Sequence, residues 1–203
     1  MYVLLEAAVP VERCGFGSIK DAVWAKLEAG LSAKLSDKNL LKETRIEVNL
    51  NNWTVSLDAY SANGREFTRI RAPFRKKSDI KFKIFHKDFY STFIKLFGME
   101  DIVLGTPVFD ETFIIQGNNP GKIALLFSDK KVQSLMLKEN SLLFQLKEDE
   151  GWFQNTYKDG VEELYLETEG SITTLTRLRS FYEIFATVLS LLCDLDPACK
   201  EMP

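Results

Sequence analysis

One histidine and three cysteines are all that this 203-residue chain offers of the side chains most used in metal binding and nucleophilic catalysis. A lone histidine cannot furnish a His-rich metal centre. Any Ser-His-Asp or Cys-His relay would have to run through His86, and no GxSxG elbow accompanies it. Cys14, Cys193 and Cys199 are odd in number and lack CxxC spacing, which disfavours a disulfide scaffold and a zinc knuckle and makes a reducing cytoplasm the simplest compartment. Long apolar runs are missing too: none approaches the roughly 18 residues that a bilayer span requires, so no membrane span is expected. Neither charge sign dominates. Twenty-six basic against 29 acidic side chains leave a net charge of -3, which excludes a wholesale nucleic-acid coat protein. The opening MYVLLEAAVPVERC has no basic leader region and meets Glu6 after four apolar residues, a poor secretory signal.

What remains is ordinary globular composition, 45% hydrophobic and 12% aromatic, in a chain long enough to bury roughly 70% of its unfolded surface without a disulfide or metal. Ile19, Val23, Leu27 and Leu31 recur every four residues and predict a helix over 18–35. From residue 44 the period changes to two. Ile46, Val48 and Leu50, then Trp53, Val55 and Leu57, read as strand, turn, strand, and Asn63-Gly64 reads as a tight hairpin into a third strand at about 66–72. Ile80 to His86 makes a fourth strand, and Asp88 is expected to cap a short helix that stops at Gly98.

After a boundary region at Met99–Pro107, Phe109–Gln116 reads as strand. Asn119-Pro120 reads as the start of a helix running to about Lys138, with a break at Ser128-Asp129. Strands are expected at Ser141–Lys147, Trp152–Tyr157 and Val161–Thr168. A long helix capped by Ser171 follows, with one apolar row at Ile172, Leu175, Leu178, Tyr182, Phe185, Leu189 and Leu192 and a second at Phe181, Ile184, Val188, Leu191 and Leu195. The order predicts an α+β fold: antiparallel sheet of short strands, a helix near the N-terminus, a central helix and a long apolar C-terminal helix. One unit over 1–203 is expected; the alternative is two halves, 1–104 and 105–203. The width of the last helix's apolar surface makes it a core element, or else a homo-oligomer contact.

Chemistry is sparse. His86 shares a strand face with Phe82 and Ile84, as a general base would not need to, and a strand-end histidine with a local partner accounts for it. Gly15-Phe16-Gly17-Ser18-Ile19-Lys20 could present amides to a phosphate but matches neither the Walker loop nor GxGxxG after a strand. Glu100, Asp101, Asp110 and Glu111 lack the rhythm of a calcium loop. No catalytic residue, metal or cofactor is therefore expected.

Charge segregation stands out against this background. Residues 65–87 hold nine Lys or Arg and two acids, whereas 139–169 hold nine acids and two Lys or Arg. Phe67, Arg69 and Arg71 share one strand face and Lys81, Lys83 and Phe85 another; if the two strands pair, the faces coincide. Such a basic, aromatic sheet surface suits single-stranded nucleic acid or an anionic lipid surface, bound weakly. The competing expectation is that the basic strands meet the acidic segment inside the fold.

The strings TRIRAPF at 68–74, KLFGMEDI at 95–102, FDETFIIQGNNP at 109–120, DEGWF at 149–153 and VEELY at 161–165 resemble a family of uncharacterised bacterial and archaeal proteins over about residues 53–195. The resemblance implies a shared fold and a microbial, cytoplasmic protein, and it transfers no activity. Three functions are left to weigh: a non-catalytic binding or scaffold protein, a carrier of apolar small molecules under the C-terminal helix, and an enzyme working through carboxylates alone.

Overall fold

The computed structural model describes residues 46–50, 53–75, 79–88, 100–147 and 161–196. The expected helices at 18–35 and after Asp88, the Gly15–Lys20 loop and the Trp152–Tyr157 strand lie outside them. The described chain forms β1 (Ile46–Leu50), β2 (Trp53–Ala62), β3 (Arg65–Arg75), β4 (Phe82–His86), β5 (Glu100–Asp101), α1 (Pro107–Thr112), β6 (Phe113–Gly117), α2 (Pro120–Leu126), α3 (Lys130–Met136), β7 (Leu143–Lys147), β8 (Val161–Glu169) and α4 (Leu175–Leu195). All eight strands join one antiparallel sheet in the order β1-β2-β3-β8-β7-β4-β6-β5. The fold is α+β, and strands on either side of residue 104 hydrogen-bond to one another, β3 to β8 and β4 to β6 and β7.

Period-two alternation decides which face is apolar. Ile70, Ala72 and Phe74 on β3, Phe82 and Ile84 on β4, Phe144 and Leu146 on β7, and Leu164 and Leu166 on β8 all enter one buried cluster with the helices. α4 lays Leu178, Phe181, Tyr182, Phe185, Val188, Leu189 and Leu192 into the same cluster, so both apolar rows read from its sequence are used within the chain. Rings fill the space between sheet and helices: Phe82 meets Phe127 and Phe144 edge-on at 5.3 and 5.9 Å, and Phe144 stacks on Phe185 at 6.2 Å. No helix among the described residues is long and apolar enough to cross a membrane.

Three backbone positions, in two places, require glycine or nearly so. Asn63 and Gly64 take φ of 52° and 75°, the left-handed pair that a two-residue hairpin between β2 and β3 needs. Gly117 ends β6 where a Cβ would stand 2.1 Å from Ile123 Cδ1 and 2.7 Å from the Lys81 carbonyl oxygen. That absence of a side chain lets α2 close against the sheet.

The structure corrects three local expectations. Phe109–Thr112 is not strand but the body of α1, started by Pro107. Asp110 ties that turn by accepting the Leu104 amide, and Phe109 packs on Phe113 one turn on, at 4.7 Å. α4 begins three residues later than its sequence suggests. Thr174, not Ser171, accepts the Arg177 amide, while the Ser171 hydroxyl donates to Glu66. Gly170, at φ 88°, turns the chain first, and the Ile172 amide donates to Thr68. Third, Cys193 is disulfide-bonded, although the cysteine count and spacing disfavoured a disulfide scaffold. The breaks at Asn119 and Asp129 fall as read: each side chain caps a short helix, by accepting from Lys122 and from Lys131 and Val132.

Candidate functional site

The buried apolar residues of all four described helices pack on one face of the sheet; none contributes to the small cluster of Phe85, Leu143, Tyr165 and Ile114 on the other. Strand register lays that second face out in rows. One row runs Asp58, Arg69, Glu167, Leu143, Phe85, Ile114, and the next runs Ser56, Arg71, Tyr165, Gln145, Lys83, Gln116.

The side chains in these rows bind across the strands. Arg69 grips Asp58 with two bonds, at 2.6 and 3.0 Å, and Arg71 donates to the same carboxylate at 3.1 Å while lying 3.8 Å from Glu163. The Arg69 guanidinium sits 4.3 Å from the Tyr60 ring centroid, and Tyr60 stacks on Phe67 at 5.3 Å. Glu167 accepts from two phenols: Tyr60 at 2.5 Å and Tyr165. Lys147 places its ammonium 3.5 Å from the centroid of the Tyr165 ring.

Burial and neighbouring charge set the protonation of this layer. Desolvation, helped by the hydrogen bond to Glu167, pushes Tyr60 up to about 12; desolvation, then the charge and hydrogen bond of Glu167, hold Tyr165 neutral well above its ordinary range. Burial opposes the charge of Arg69, but the hydrogen bond and charge of Asp58 outweigh it, so the arginine is held protonated. Lys147 moves the opposite way. Burial lowers its affinity for the proton, and the nearby Arg69 and Arg71 add to that effect against the pull of Glu163 and Glu167.

The residues singled out from the sequence share one face of the sheet, but not by pairing. β8 and β7 lie between β3 and β4, so two strands separate the one that carries Phe67, Arg69 and Arg71 from the one that carries Lys83 and Phe85. The acidic segment thus meets the basic strand within the sheet: Glu167 stands opposite Arg69, and Glu169 opposite Phe67. Phe85 and Lys83 are buried beside each other, the ammonium 5.8 Å from the ring centroid, and Lys81 is exposed just before β4. Asp58, Tyr60, Lys147, Tyr165 and Glu167 were not singled out. Their signal was present in VEELYLETE, where Glu163, Tyr165, Glu167 and Glu169 alternate onto one face.

Other polar groups fit structural roles. At the rim of the helix-bearing face, Arg177 donates to Glu139 at 2.6 Å and to Thr168 at 3.3 Å, which fastens the start of α4 to β8. His86 lies edge-on to Phe113 with Nδ1 4.0 Å from Asp88, too far for a hydrogen bond. A cleft of about 370 Å³ between α3 and α4 is bridged by the Lys131–Glu183 ion pair at 2.5 Å. Among the described residues no group of three or more His, Cys, Asp or Glu is arranged to hold a metal ion. Glu100, Asp101, Asp110 and Glu111 serve singly where they bond at all, Asp101 accepting from Gln116 and Asp110 from Leu104. Comparison with known proteins adds no functional assignment: no family model matches the chain, and no curated protein or solved structure does.

Proposed function

We propose that the protein is a non-catalytic binding module whose partner docks on the sheet face opposite the helices. One observation carries this reading: a layer of charged and aromatic side chains, fixed by cross-strand bonds, covers a face to which none of the described helices contributes. Clusters of groups with displaced protonation, such as Tyr60, Tyr165 and Lys147, occur more often at functional sites than elsewhere. The carrier reading has less support, because phenylalanine rings fill the space between sheet and helices. The carboxylate-enzyme reading also has less, since Asp58 is engaged by two arginines and Glu167 by two tyrosines.

For the partner, weak and salt-sensitive binding to single-stranded nucleic acid or an anionic surface is the most that Arg69, Arg71 and the exposed Lys81 support, with Phe67 as the aromatic contact; Lys83 and Phe85, expected to share in it, are buried. The two arginines already share Asp58. A fluorescent oligothymidylate and anionic phospholipid vesicles, each titrated at low salt with hydrogen exchange read by mass spectrometry, test both parts. Protection of β2, β3 and β8 supports the reading. Protection confined to α3 and α4 contradicts the face, and no binding of either probe removes polyanions as partners. The kinship with an uncharacterised microbial family is proposed on the same footing. For the compartment, the odd cysteine count favours the cytoplasm and the Cys193 disulfide an oxidising one. Thiol counting on protein alkylated at lysis decides between them.

A further inference from the structure

α3 and α4 leave between them a cleft of about 370 Å³, at the low end of the roughly 300–1,000 Å³ typical of small-molecule sites. Helical spacing builds both walls. On α3, Val132 and Leu135 stand one turn apart; both are buried, and with Leu191 of α4 they line the cleft with apolar surface. On α4, Glu183, Thr187 and Ser190 recur at the spacing that holds one helix face, and all three are half-buried. Lys131 reaches across to Glu183 at 2.5 Å, and Asp129, which caps α3 by accepting the Lys131 and Val132 amides, brings a second carboxylate to the rim. The lysine is 68% exposed, so its ammonium is free to turn toward a ligand without leaving water. The bond between the pair uses one of the three donors of the ammonium and one of about four acceptor sites of the carboxylate, which leaves each with capacity for a further partner.

We propose that this cleft binds a free α-amino acid with an aliphatic side chain, its ammonium on Glu183, its carboxylate on Lys131 and its side chain against Val132, Leu135 and Leu191. Charge complementarity selects the class. A zwitterion laid against the Lys131–Glu183 pair alternates the four charges, so that each lies beside charges of opposite sign. A simple amine would meet Lys131 with no anion of its own, and a simple carboxylate would meet Glu183 and Asp129 with no cation. The Thr187 and Ser190 hydroxyls, on the same wall as Glu183, offer further acceptors to the ammonium. The proposal goes beyond the sheet-face reading and does not depend on it: the cleft is built by the helices, and failure of nucleic acid or vesicles to bind leaves it standing.

The test is a titration of the isotope-labelled full-length chain with L-leucine, followed through its backbone amide shifts. Glycine, N-acetyl-leucine and isoamylamine run beside it and lack, in turn, the side chain, the ammonium and the carboxylate. Leucine should give saturable shifts confined to Lys131–Leu135 and Glu183–Leu191, weakened by added salt because the charged contacts lie at the surface. Each of the three analogues should bind several-fold more weakly. Lys131→Gln and Glu183→Gln should each weaken leucine several-fold while the melting temperature changes little, as expected for an exposed pair. Shifts that never saturate, shifts on the sheet instead of the two helices, or equal binding of N-acetyl-leucine or isoamylamine would each overturn the proposal.

Discussion

Reversing two charges on the second sheet face, Arg71→Glu together with Lys83→Glu, should destabilise the protein severely. If those side chains merely coated the surface, the change would be nearly neutral, as for exposed positions in general, within about 0.5 kcal/mol. The structure sets a different expectation. Arg71 is 15% exposed and lies between Asp58 and Glu163, each 13% exposed. Removing one partner of such a pair costs about 3–5 kcal/mol when the pair is fully buried, and residual solvent screening reduces that. A glutamate in its place adds repulsion. Two like charges about 4 Å apart at an effective dielectric near 20 cost about 4 kcal/mol, part of which the side chain escapes by turning outward. Lys83, buried on β4, contributes a second desolvated carboxylate. A loss of about 3 kcal/mol or more follows, a large share of the roughly 5–15 kcal/mol that holds a domain together. Urea unfolding followed by tryptophan fluorescence measures it, with Lys130→Gln as an exposed control. A double variant that unfolds at the wild-type urea concentration would refute the placement of these cations.

Phe185→Ala should cost about 3–5 kcal/mol, since the ring is fully buried against Phe144; an unchanged midpoint would mean that α4 does not pack there. Gly117→Ala should cost about 1–3 kcal/mol or more by overpacking, because the Lys81 carbonyl cannot move aside as the Ile123 side chain can, and thermal melting reads the difference. Tyr60, neutral in the folded state up to about pH 12, ionises near 10 once unfolded. The folded state therefore binds the extra proton, and stability should fall as pH rises from 10 through about 12; a native phenolate absorbance near pH 10 that Tyr60→Phe removes would contradict this.

Much of the fold was legible because period and punctuation agree. Alternation in β2, β3, β4 and β8, the Asn63-Gly64 turn, and the Asn119 and Asp129 caps each depend on residues close in sequence. The apolar rows of α4 likewise announce burial, although not what covers them. The α1 error came from FDETFIIQ, whose apolar residues read equally well as strand until Asp110 closes the preceding turn. Strand order was not legible. Proximity in sequence suggested that β3 and β4 form a hairpin, whereas β8 and β7 insert between them, and that single non-local fact turns a basic patch into a paired network. The candidate site was half visible for the same reason: the cations stood out as a run, while Asp58, Glu163 and Glu167 come from two other strands.

The central claim is that β7 and the acidic β8 separate basic β3 from β4, and backbone NMR on the intact protein tests it most directly. Nuclear Overhauser contacts between the α-protons or amides of Arg71 and Tyr165, of Gln145 and Tyr165, and of Lys83 and Gln145 are predicted by the register. Contacts running instead from Arg69 or Arg71 directly to Lys83 or Phe85 would contradict it.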